Sequence, residues 1–265
     1  MQRASSTLSY DTIAQTYDEM IREGRLIHEF VVPRLLALVG NVAGQRVLDL
    51  ACGQGVVARQ LAERGAQVVG VNLSEDLLNL ARGYACCEAQ RITYLQDDAE
   101  QLTSLPDACF DGVLLNMALT DIGDIDALFQ TVSRVMRRAG WFAFSTPHPC
   151  FQSPYSRWSK MADGRVSAVI AGYFEEGFWM AADSTRLCGL VGAYHRTLGT
   201  IFASLNHAGL LLTDFVEPRA SAAFAARKPG YESVAGVLLV CCQKGAPDVA
   251  ACDSDRPPCA RREER

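Results

Sequence analysis

The sequence predicts a doubly wound α/β domain, in which helices cover both faces of a mainly parallel sheet. Short runs rich in Val, Ile and Leu alternate with helical patterns through the middle of the chain, and this alternation is typical of β-α-β units. A glycine-rich turn follows the first of these runs, at residues 51–55. The 265 residues, of which 49% are hydrophobic, suffice for one large domain or at most two small ones.

The sheet is predicted to contain seven strands. They lie at residues 46–51, 67–72, 92–96, 110–116, 141–146, 211–217 and 236–243. Short helical connections join the strands up to residue 141, and we expect them to be right-handed crossovers.

Helix start and stop residues mark the segments between the strands. Gly65 ends the helix after the first strand, since glycine adopts the left-handed conformation of a C-terminal cap. Ser74 caps the next helix, whose first turn carries two acids that complement the helix dipole. A basic turn followed by Gly140 ends the helix before the fifth strand, and residues 194–209 are predicted to form the last helix.

Two segments lie outside this alternation. Residues 147–193 follow the fifth strand and are rich in aromatic side chains, so we expect a cap or lid over a substrate pocket. The alternative is an accessory subdomain that only packs on the sheet. Residues 245–265 contain three prolines and almost no large apolar side chain, which predicts a disordered tail after a single domain of residues 1–244.

Composition argues against several classes of protein. The net charge of −5 argues against a broad electrostatic interaction with nucleic acid. No apolar run approaches the roughly 18 residues of a membrane span. The first 20 residues lack the apolar stretch of a secretory signal, so we expect none. We therefore expect a cytoplasmic protein. The ten cysteines include no C-x-x-C pair, so we expect reduced thiols and no metal site.

The segment VLDLACGQG, residues 47–55, is the most informative about chemistry. An apolar strand here enters a glycine turn that begins a helix, at the edge where open α/β sheets bind ligands. Gly53 and Gly55 let the backbone approach a ligand closely, because they lack a Cβ atom. The helix N-terminus offers free N–H groups to a carboxylate. Asp49 is placed to accept a hydrogen bond from an ammonium group.

This segment resembles the first motif of the class I S-adenosylmethionine-dependent methyltransferases, acid-x-Gly-x-Gly-x-Gly. Asp49, Gly53 and Gly55 match it, and Ala51 replaces the first glycine. The resemblance covers residues 10–147 closely and the last two strands more loosely. It implies a Rossmann-like seven-stranded sheet with an antiparallel closing hairpin, a substrate cap after strand five, and S-adenosyl-L-methionine as the cofactor.

The resemblance also implies which positions contact that cofactor. Tyr10 and Tyr17 would close over the cofactor, and its methionine part would be held by Asp49, Ala51, Gly53 and Gly55. Asn72 and Leu73 would contact its ribose and adenine, and Asp98 and Ala99 would contact the adenine amine. Asn116 would lie under the sulfonium carbon.

Asn72 departs from the family pattern, which usually has an acid at this position. An amide oxygen still accepts a hydrogen bond, but the charge-assisted part, about 1.5–3 kcal/mol for bonds to charged groups, is reduced. We therefore expect weaker cofactor affinity or an altered ribose contact. A dinucleotide is the rival ligand, since residues 53–58 fit G-x-G-x-x-[GA]. That fingerprint also needs an acid where Asn72 stands, so a nicotinamide-dependent oxidoreductase is the weaker hypothesis.

Two histidines are candidates for the base that a hydroxyl acceptor requires. His148 directly follows the fifth strand, and His195 is predicted to begin the last helix after the aromatic segment. His28 and His207 are interpreted as structural or surface residues within helices. Asp121 is interpreted as a turn or capping residue after the fourth strand.

The predicted function is methyl transfer to a small organic molecule, such as a metabolite or a natural-product intermediate. Oxygen, nitrogen and carbon acceptors all remain open, and so does the oligomeric state. RNA- or protein-directed methylation is disfavoured by the acidic balance and by the lack of an N-P-P-[YF] motif. From another class, the chain could be a protein that binds the cofactor without transferring its methyl group.

Overall fold

The computed structural model describes residues 9–24, 27–87 and 92–245. Eleven strands lie in this part of the chain. They are β1 (Arg46–Leu50), β2 (Gln67–Asn72), β3 (Thr93–Gln96), β4 (Phe110–Asn116), β5 (Met136–Pro147), β6 (Arg157–Lys160), β7 (Val166–Val169), β8 (Gly177–Trp179), β9 (Ala193–His195), β10 (Leu210–Val216) and β11 (Val237–Lys244).

Eight α-helices and one short 3-10 helix, Leu119–Asp121, accompany these strands in the described residues. The helices are α1 (Tyr10–Arg22), α2 (His28–Val39), α3 (Val56–Glu63), α4 (Glu75–Cys87), α5 (Ile125–Val135), α6 (Leu187–Leu190), α7 (Leu198–His207) and α8 (Ala222–Arg227). No described helix is long and apolar enough to cross a membrane.

The predicted fold class is confirmed. Seven strands form one sheet in the order β10-β11-β5-β4-β1-β2-β3. The strands from β1 to β5 pair in parallel, whereas β11 is antiparallel to both β5 and β10 and forms the closing hairpin. This is the Rossmann-like arrangement, in which the order reverses next to β1 and creates a ligand crevice at the carboxyl ends of the strands.

Burial on both faces explains why the central strands are apolar throughout. In β1, Val47, Leu48 and Leu50 are fully buried, and Leu48 pairs with Val113 of β4. One side of the sheet packs three phenylalanines of α5 and β5 against each other, with ring centroids 5.4–6.2 Å apart. Such continuous apolar strands are typical of parallel sheets that helices cover on both sides.

The helix before the fifth strand ends earlier than predicted. We expected Gly140 to end it, but α5 ends at Val135 and β5 begins at Met136. Met136 already pairs with Phe110 of β4, and the pairing is then interrupted until residue 141. Because Met136 already pairs as a strand residue, Arg137, Arg138 and Gly140 lie in an irregular stretch of β5 and not at the end of a helix.

The last helix also begins later than predicted. We expected residues 194–209, but Ala193–His195 form β9, and α7 begins at Leu198. The Thr197 side chain accepts a hydrogen bond from the Thr200 amide and caps the helix there. Tyr194 pairs with Phe178 of β8, and their rings contact edge to face at 5.2 Å. His195 therefore ends a strand and does not begin a helix.

Residues 147–193 contain the end of β5, the antiparallel hairpin β6–β7, strand β8 and helix α6. Strand β8 then pairs with β9. Several apolar side chains in this segment are exposed, and Phe174 is 86% exposed. The predicted tail, residues 245–265, lies outside the described residues except for Gly245, whose amide donates to the Gly209 carbonyl at 2.9 Å.

Candidate active site

A large cleft opens at the carboxyl edge of the parallel strands. Ala51, Asn72 and Asn116 line it at the ends of β1, β2 and β4, and residues of α1, α6 and β9 line it as well. Its volume is about 1800 Å³. Pockets for one small ligand measure roughly 300–1,000 Å³, so the cleft has room for a cofactor and a second molecule.

The turn after β1 uses the left-handed backbone conformation at Ala51 (φ 53°), Gly53 (φ 55°) and Gly55 (φ 79°). Ala51 and Gly53 line the cleft, and a Cβ atom on Gly53 would lie 3.4 Å from Tyr17 of α1. A Cβ atom on Gly55 would lie 2.4 Å from the Tyr94 hydroxyl oxygen. The missing Cβ atom of Gly55 therefore lets Tyr94 of β3 pack against the turn. Gly55 is not among the described residues that line the cleft.

Asp49 is a buried carboxylate near the end of β1, and it is only 1% exposed. Within the described part of the chain, its Oδ2 has no hydrogen-bond partner. Burial raises the pKa of this carboxyl to about 7, although the Ala58 amide and the Arg59 charge act in the opposite direction. Burying a charge without a partner is unfavourable. A cationic ligand group near Asp49 Oδ2 would supply the hydrogen bond and the opposite charge that this oxygen lacks in the described residues.

The end of β2 contacts the glycine turn directly. The Gly53 amide donates to Asn72 Oδ1 at 3.4 Å, and the Asp97 amide donates to the Asn72 carbonyl at 3.2 Å. Leu73 follows Asn72, is 48% exposed and lines the cleft. The sequence offered no sign of the first contact, because it joins residues 19 positions apart. In this chain Asn72 therefore also holds the glycine turn.

The loop after β3 is shaped by its own carboxylates. Asp98 Oδ1 accepts from the Glu100 amide at 3.0 Å, and the Asp98 amide donates to Asp97 Oδ1 at 2.8 Å. Both Asp98 and the buried Ala99 line the cleft.

A hydrogen-bond chain fixes the end of β4. The Ser145 hydroxyl donates to Asn116 Oδ1 at 2.9 Å and accepts from the Met117 amide at 2.9 Å. Ser145 is fully buried, and Met117 has a positive φ of 57°. The Asn116 amide is thereby held in one orientation at the cleft.

Helix α1 is tied to three other parts of the domain. The Tyr10 hydroxyl donates to Asp121 Oδ2 at 3.1 Å. The Ser74 hydroxyl donates to Asp11 Oδ1 at 2.5 Å, and the Tyr84 hydroxyl donates to the Asp18 carboxylate at 3.0 Å. The Tyr10 and Tyr17 rings contact edge to face at 5.6 Å, and both line the cleft. These contacts place the tyrosines of α1 along the cleft.

Comparison with known proteins identifies the family. A methyltransferase-domain family matches residues 48–144. An S-adenosylmethionine-dependent methyltransferase from Mesorhizobium loti, known from its crystal structure, is 32% identical, with a TM-score of 0.69. The match covers 81% of this chain and 99% of that one. The chain belongs to the S-adenosylmethionine-dependent methyltransferases. The predicted enzyme class and the predicted cofactor, S-adenosyl-L-methionine, are confirmed.

Two further relatives differ in how much of their length they share with this methyltransferase. An uncharacterized Haemophilus influenzae protein is 28% identical over 227 residues, which cover 82% of this chain and 88% of that protein. A ubiquinone biosynthesis O-methyltransferase from Leptothrix cholodnii is 34% identical over 109 residues. This second match covers 41% of the present chain and 46% of the Leptothrix cholodnii enzyme, which is about half of that enzyme's length.

The cleft of the methyltransferase is acidic. Seven carboxylates line it, against three basic side chains. The carboxylates are Asp11, Asp97, Asp98, Glu100, Asp121, Asp124 and Asp126, and the basic residues are Arg186, Arg196 and Lys228. S-adenosyl-L-methionine carries a sulfonium and an ammonium cation, so a negative cleft beside the Asp49 Oδ2, which has no hydrogen-bond partner in the described residues, fits this cofactor. No group of His, Cys, Asp and Glu suited to a metal ion occurs in the described residues.

Nine of the eleven predicted cofactor positions line this cleft. They are Tyr10, Tyr17, Ala51, Gly53, Asn72, Leu73, Asp98, Ala99 and Asn116. Asp49 and Gly55 are not among the described residues that line the cleft. The roles of all eleven residues in binding stay predictions.

His195 is not among the described residues that line the cleft, although the smaller cavity that it lines adjoins the cleft and shares Tyr194 and Arg196 with it. His195 is 5% exposed, and its Nε2 lies 2.8 Å from the Tyr173 carbonyl oxygen. It lines a second cavity of about 110 Å³, together with Trp179 and Pro149. These contacts favour a structural role, and the predicted role as a base stays a prediction.

Both ring nitrogens of His148 contact other groups of the protein. Its Nε2 lies 2.7 Å from Glu217 Oε1, and its Nδ1 accepts from the Cys150 amide at 3.2 Å. Burial lowers the pKa of His148, although the Glu217 carboxylate acts in the opposite direction. His148 is not one of the described residues that line the cleft or the smaller cavity. Its role as a base likewise stays a prediction.

Two further residues, His28 of α2 and Asp121 of the 3-10 helix, line the cleft, although sequence analysis assigned neither of them a role in ligand binding. His28 lines the cleft, its ring lies 6.5 Å from that of Tyr17, and burial lowers its pKa to about 4. Its Nδ1 is buried without a hydrogen-bond partner in the described residues. Asp121 does not cap the following helix, because Asp124 accepts from the Ala127 amide and caps α5. Neither location is visible in local sequence patterns, since both depend on how α1 and α2 pack over the cleft.

Proposed function

We propose that this methyltransferase transfers a methyl group to a hydroxyl group of a small, partly apolar organic molecule. The observation that carries the proposal is the composition of the cleft beyond the glycine turn. Phe178, Leu187, Val191 and Tyr194 line it there, and they belong to or follow the segment that we predicted as a substrate cap. Apolar and aromatic walls with a few convergent polar groups are typical of small-molecule pockets.

The similarity to ubiquinone biosynthesis O-methyltransferases supports oxygen as the acceptor atom. These matches cover only 46% and 42% of the relatives' lengths, so the acceptor class rests on this chain's own cleft as well. A polyanionic acceptor such as RNA fits poorly, because seven carboxylates line the cleft.

We propose that Asp49, the turn at residues 51–55 and the ends of β2 and β4 hold S-adenosyl-L-methionine. When bound, the cofactor supplies a methyl group already activated by its sulfonium centre. The protein then has to orient the acceptor, exclude water and take up a proton. Residues 147–193 would cover the acceptor as a cap of the single domain formed by residues 1–244.

The test is transfer of isotope-labelled methyl groups to a panel of acceptors, with product mass and S-adenosylhomocysteine measured together. The panel holds phenols, catechols and hydroquinones, matched anilines and thiols, and a tRNA mixture. We expect one labelled methyl group on a hydroxyl compound for each S-adenosylhomocysteine formed. Transfer to the amines, thiols or tRNA without any hydroxyl product would contradict the proposal.

A further inference from the structure

Asp121 lies in a turn, as predicted, but it also lines the cleft, which a role in the turn does not require. It ends the 3-10 helix that follows β4, five residues after Asn116, and its side chain is open to the cleft. Tyr10, Asn116 and Cys188 line the same cleft from α1, β4 and α6. Asp121 therefore lies where the cofactor-binding elements and the predicted cap meet.

The carboxylate has one oxygen engaged and one oxygen available. Tyr10 donates its hydroxyl to Oδ2 at 3.1 Å, and in the described residues Oδ1 accepts no hydrogen bond. Capping of α5 falls to Asp124, so Asp121 has no such structural task. A carboxylate that is oriented through one oxygen presents the other to a ligand in the cleft.

The backbone around Asp121 is held firmly. Arg196, which follows β9, donates to the Leu119 carbonyl at 3.3 Å and to the Ile122 and Gly123 carbonyls at 2.5 and 2.8 Å. These contacts fix the chain on both sides of Asp121. A proton acceptor needs such a fixed position, because proton transfer depends on hydrogen-bond geometry.

The surroundings of Asp121 favour proton uptake near neutral pH. The packed walls of the cleft raise the pKa of its carboxyl, although the side chain stays exposed to the open cleft and the Tyr10 hydrogen bond acts in the opposite direction. The titratable groups that face it are Tyr10 and Tyr17 of α1 and Cys188 of α6. None of these is a cation, and Arg196 is engaged with backbone carbonyls.

We propose that Asp121 is the general base of the transfer, an assignment that rests on the proposed hydroxyl acceptor. The acceptor O–H bond breaks and its proton passes to Asp121 Oδ1. The acceptor oxygen forms a bond to the methyl carbon while the bond from that carbon to sulfur breaks. Sulfur keeps that electron pair and becomes a neutral thioether, so the positive charge of the cofactor is offset by protonation of the carboxylate.

The test compares Asp121→Asn with the wild type on two kinds of phenol at about pH 8. Un-ionised catechols and hydroquinones must lose a proton during transfer, whereas para-nitrophenol is largely ionised before it binds. We expect the variant to lose about 10²- to 10⁴-fold in kcat with the un-ionised phenols, and only a few-fold with para-nitrophenol. Asp107→Asn is the matched control, since Asp107 is a 74% exposed surface carboxylate, and we expect wild-type rates from it.

Two further measurements separate a base from a structural residue. S-adenosylhomocysteine affinity of Asp121→Asn, measured by calorimetry, should stay within a few-fold of the wild type. We expect kcat/KM of the wild type to rise between about pH 5 and about pH 8, as the base loses its proton. In Asp121→Asn, kcat/KM should depend on pH only through the ionisation of the phenol.

Each outcome decides the proposal. A wild type that methylates no hydroxyl compound refutes the proposed function and the base assignment with it. A wild type that is active, with an equally active Asp121→Asn variant, overturns the base assignment alone. Equal losses on both kinds of phenol, or a parallel loss of S-adenosylhomocysteine affinity, would assign Asp121 to positioning and also overturn it.

Discussion

Replacement of Asp49 by asparagine should change stability and cofactor affinity in opposite directions. The carboxyl titrates near pH 3.8 when solvated, and burial raises its pKa to about 7 in the folded protein. A carboxyl with a raised folded-state pKa destabilises the fold once it is ionised. Its unfavourable effect is absent well below pH 3.8, grows as pH rises between the two values, and is complete above about pH 7.

The magnitude follows from the difference between the two pKa values. At about 1.4 kcal/mol for each tenfold change in proton affinity, ionised Asp49 destabilises the fold by about 4 kcal/mol at pH 8 and by about 2 kcal/mol at pH 5. The asparagine NH₂ group adds a pH-independent cost of about 1–3 kcal/mol, because it is buried where Oδ2 has no partner in the described residues. The free energy gained by the variant should therefore be about 2 kcal/mol larger at pH 8 than at pH 5.

The assay is urea unfolding of the wild type and Asp49→Asn at both pH values, with Asp107→Asn as a surface control that we expect to change little. S-adenosylhomocysteine affinity is measured by calorimetry at about pH 8. We expect the Asp49 variant to bind more weakly, because the predicted acceptor for the ligand's ammonium group loses its charge. An equal effect of the substitution on unfolding at both pH values would refute the reasoning about ionisation, and unchanged affinity would remove Asp49 from the site.

Three other substitutions test the rest of the site. Asn72→Asp should tighten S-adenosylhomocysteine binding about five- to tenfold, since a carboxylate accepts charge-assisted bonds from both ribose hydroxyls; calorimetry showing equal or weaker binding would assign Asn72 to holding the turn only. Gly55→Ala should lower the free energy of unfolding by about 2 kcal/mol or more, from left-handed strain and the clash with Tyr94. His195→Ala should lower the melting temperature and leave kcat within a few-fold, because Nε2 contacts the Tyr173 carbonyl; a stable variant that loses about 10²-fold or more in kcat would instead support the histidine as the base.

Gly24→Ala is the control for the Gly55 substitution. Gly24 also has a positive φ, of 64°, but a Cβ atom there would meet nothing within 4 Å. We expect it to lose only the backbone strain, about 1–2 kcal/mol. Equal losses at the two glycines would show that Tyr94 adjusts to the added methyl group.

The sheet could be predicted from the sequence because its determinants are local. Apolar runs such as residues 46–51 and 110–116 became β1 and β4, and the cap at Ser74 is present, with the Leu77 amide donating to its hydroxyl at 3.2 Å. The glycine turn could be predicted too, since a strand, two glycines and a helix lie within one short segment.

The predictions failed where contacts between distant residues decide the structure. Pairing with Gly177 made His195 part of a strand, and the pairing of Met136 with Phe110 ended α5 at Val135. The Tyr10–Asp121 hydrogen bond joins residues 111 positions apart, so no local pattern could assign Asp121 to the cleft. Helix and strand propensities describe segments, whereas the acceptor side of the cleft depends on how those segments pack.

The most direct test of the account is calorimetric titration of the wild-type chain with S-adenosylhomocysteine, paired with thermal unfolding in the same buffer. One ligand should bind per chain and, at a hundredfold excess over the dissociation constant, stabilise the native state by about 2.7 kcal/mol. Nicotinamide dinucleotides should give neither heat nor a shift in melting temperature. Absence of S-adenosylhomocysteine binding at millimolar concentration, or binding of a nicotinamide dinucleotide in its place, would contradict the account.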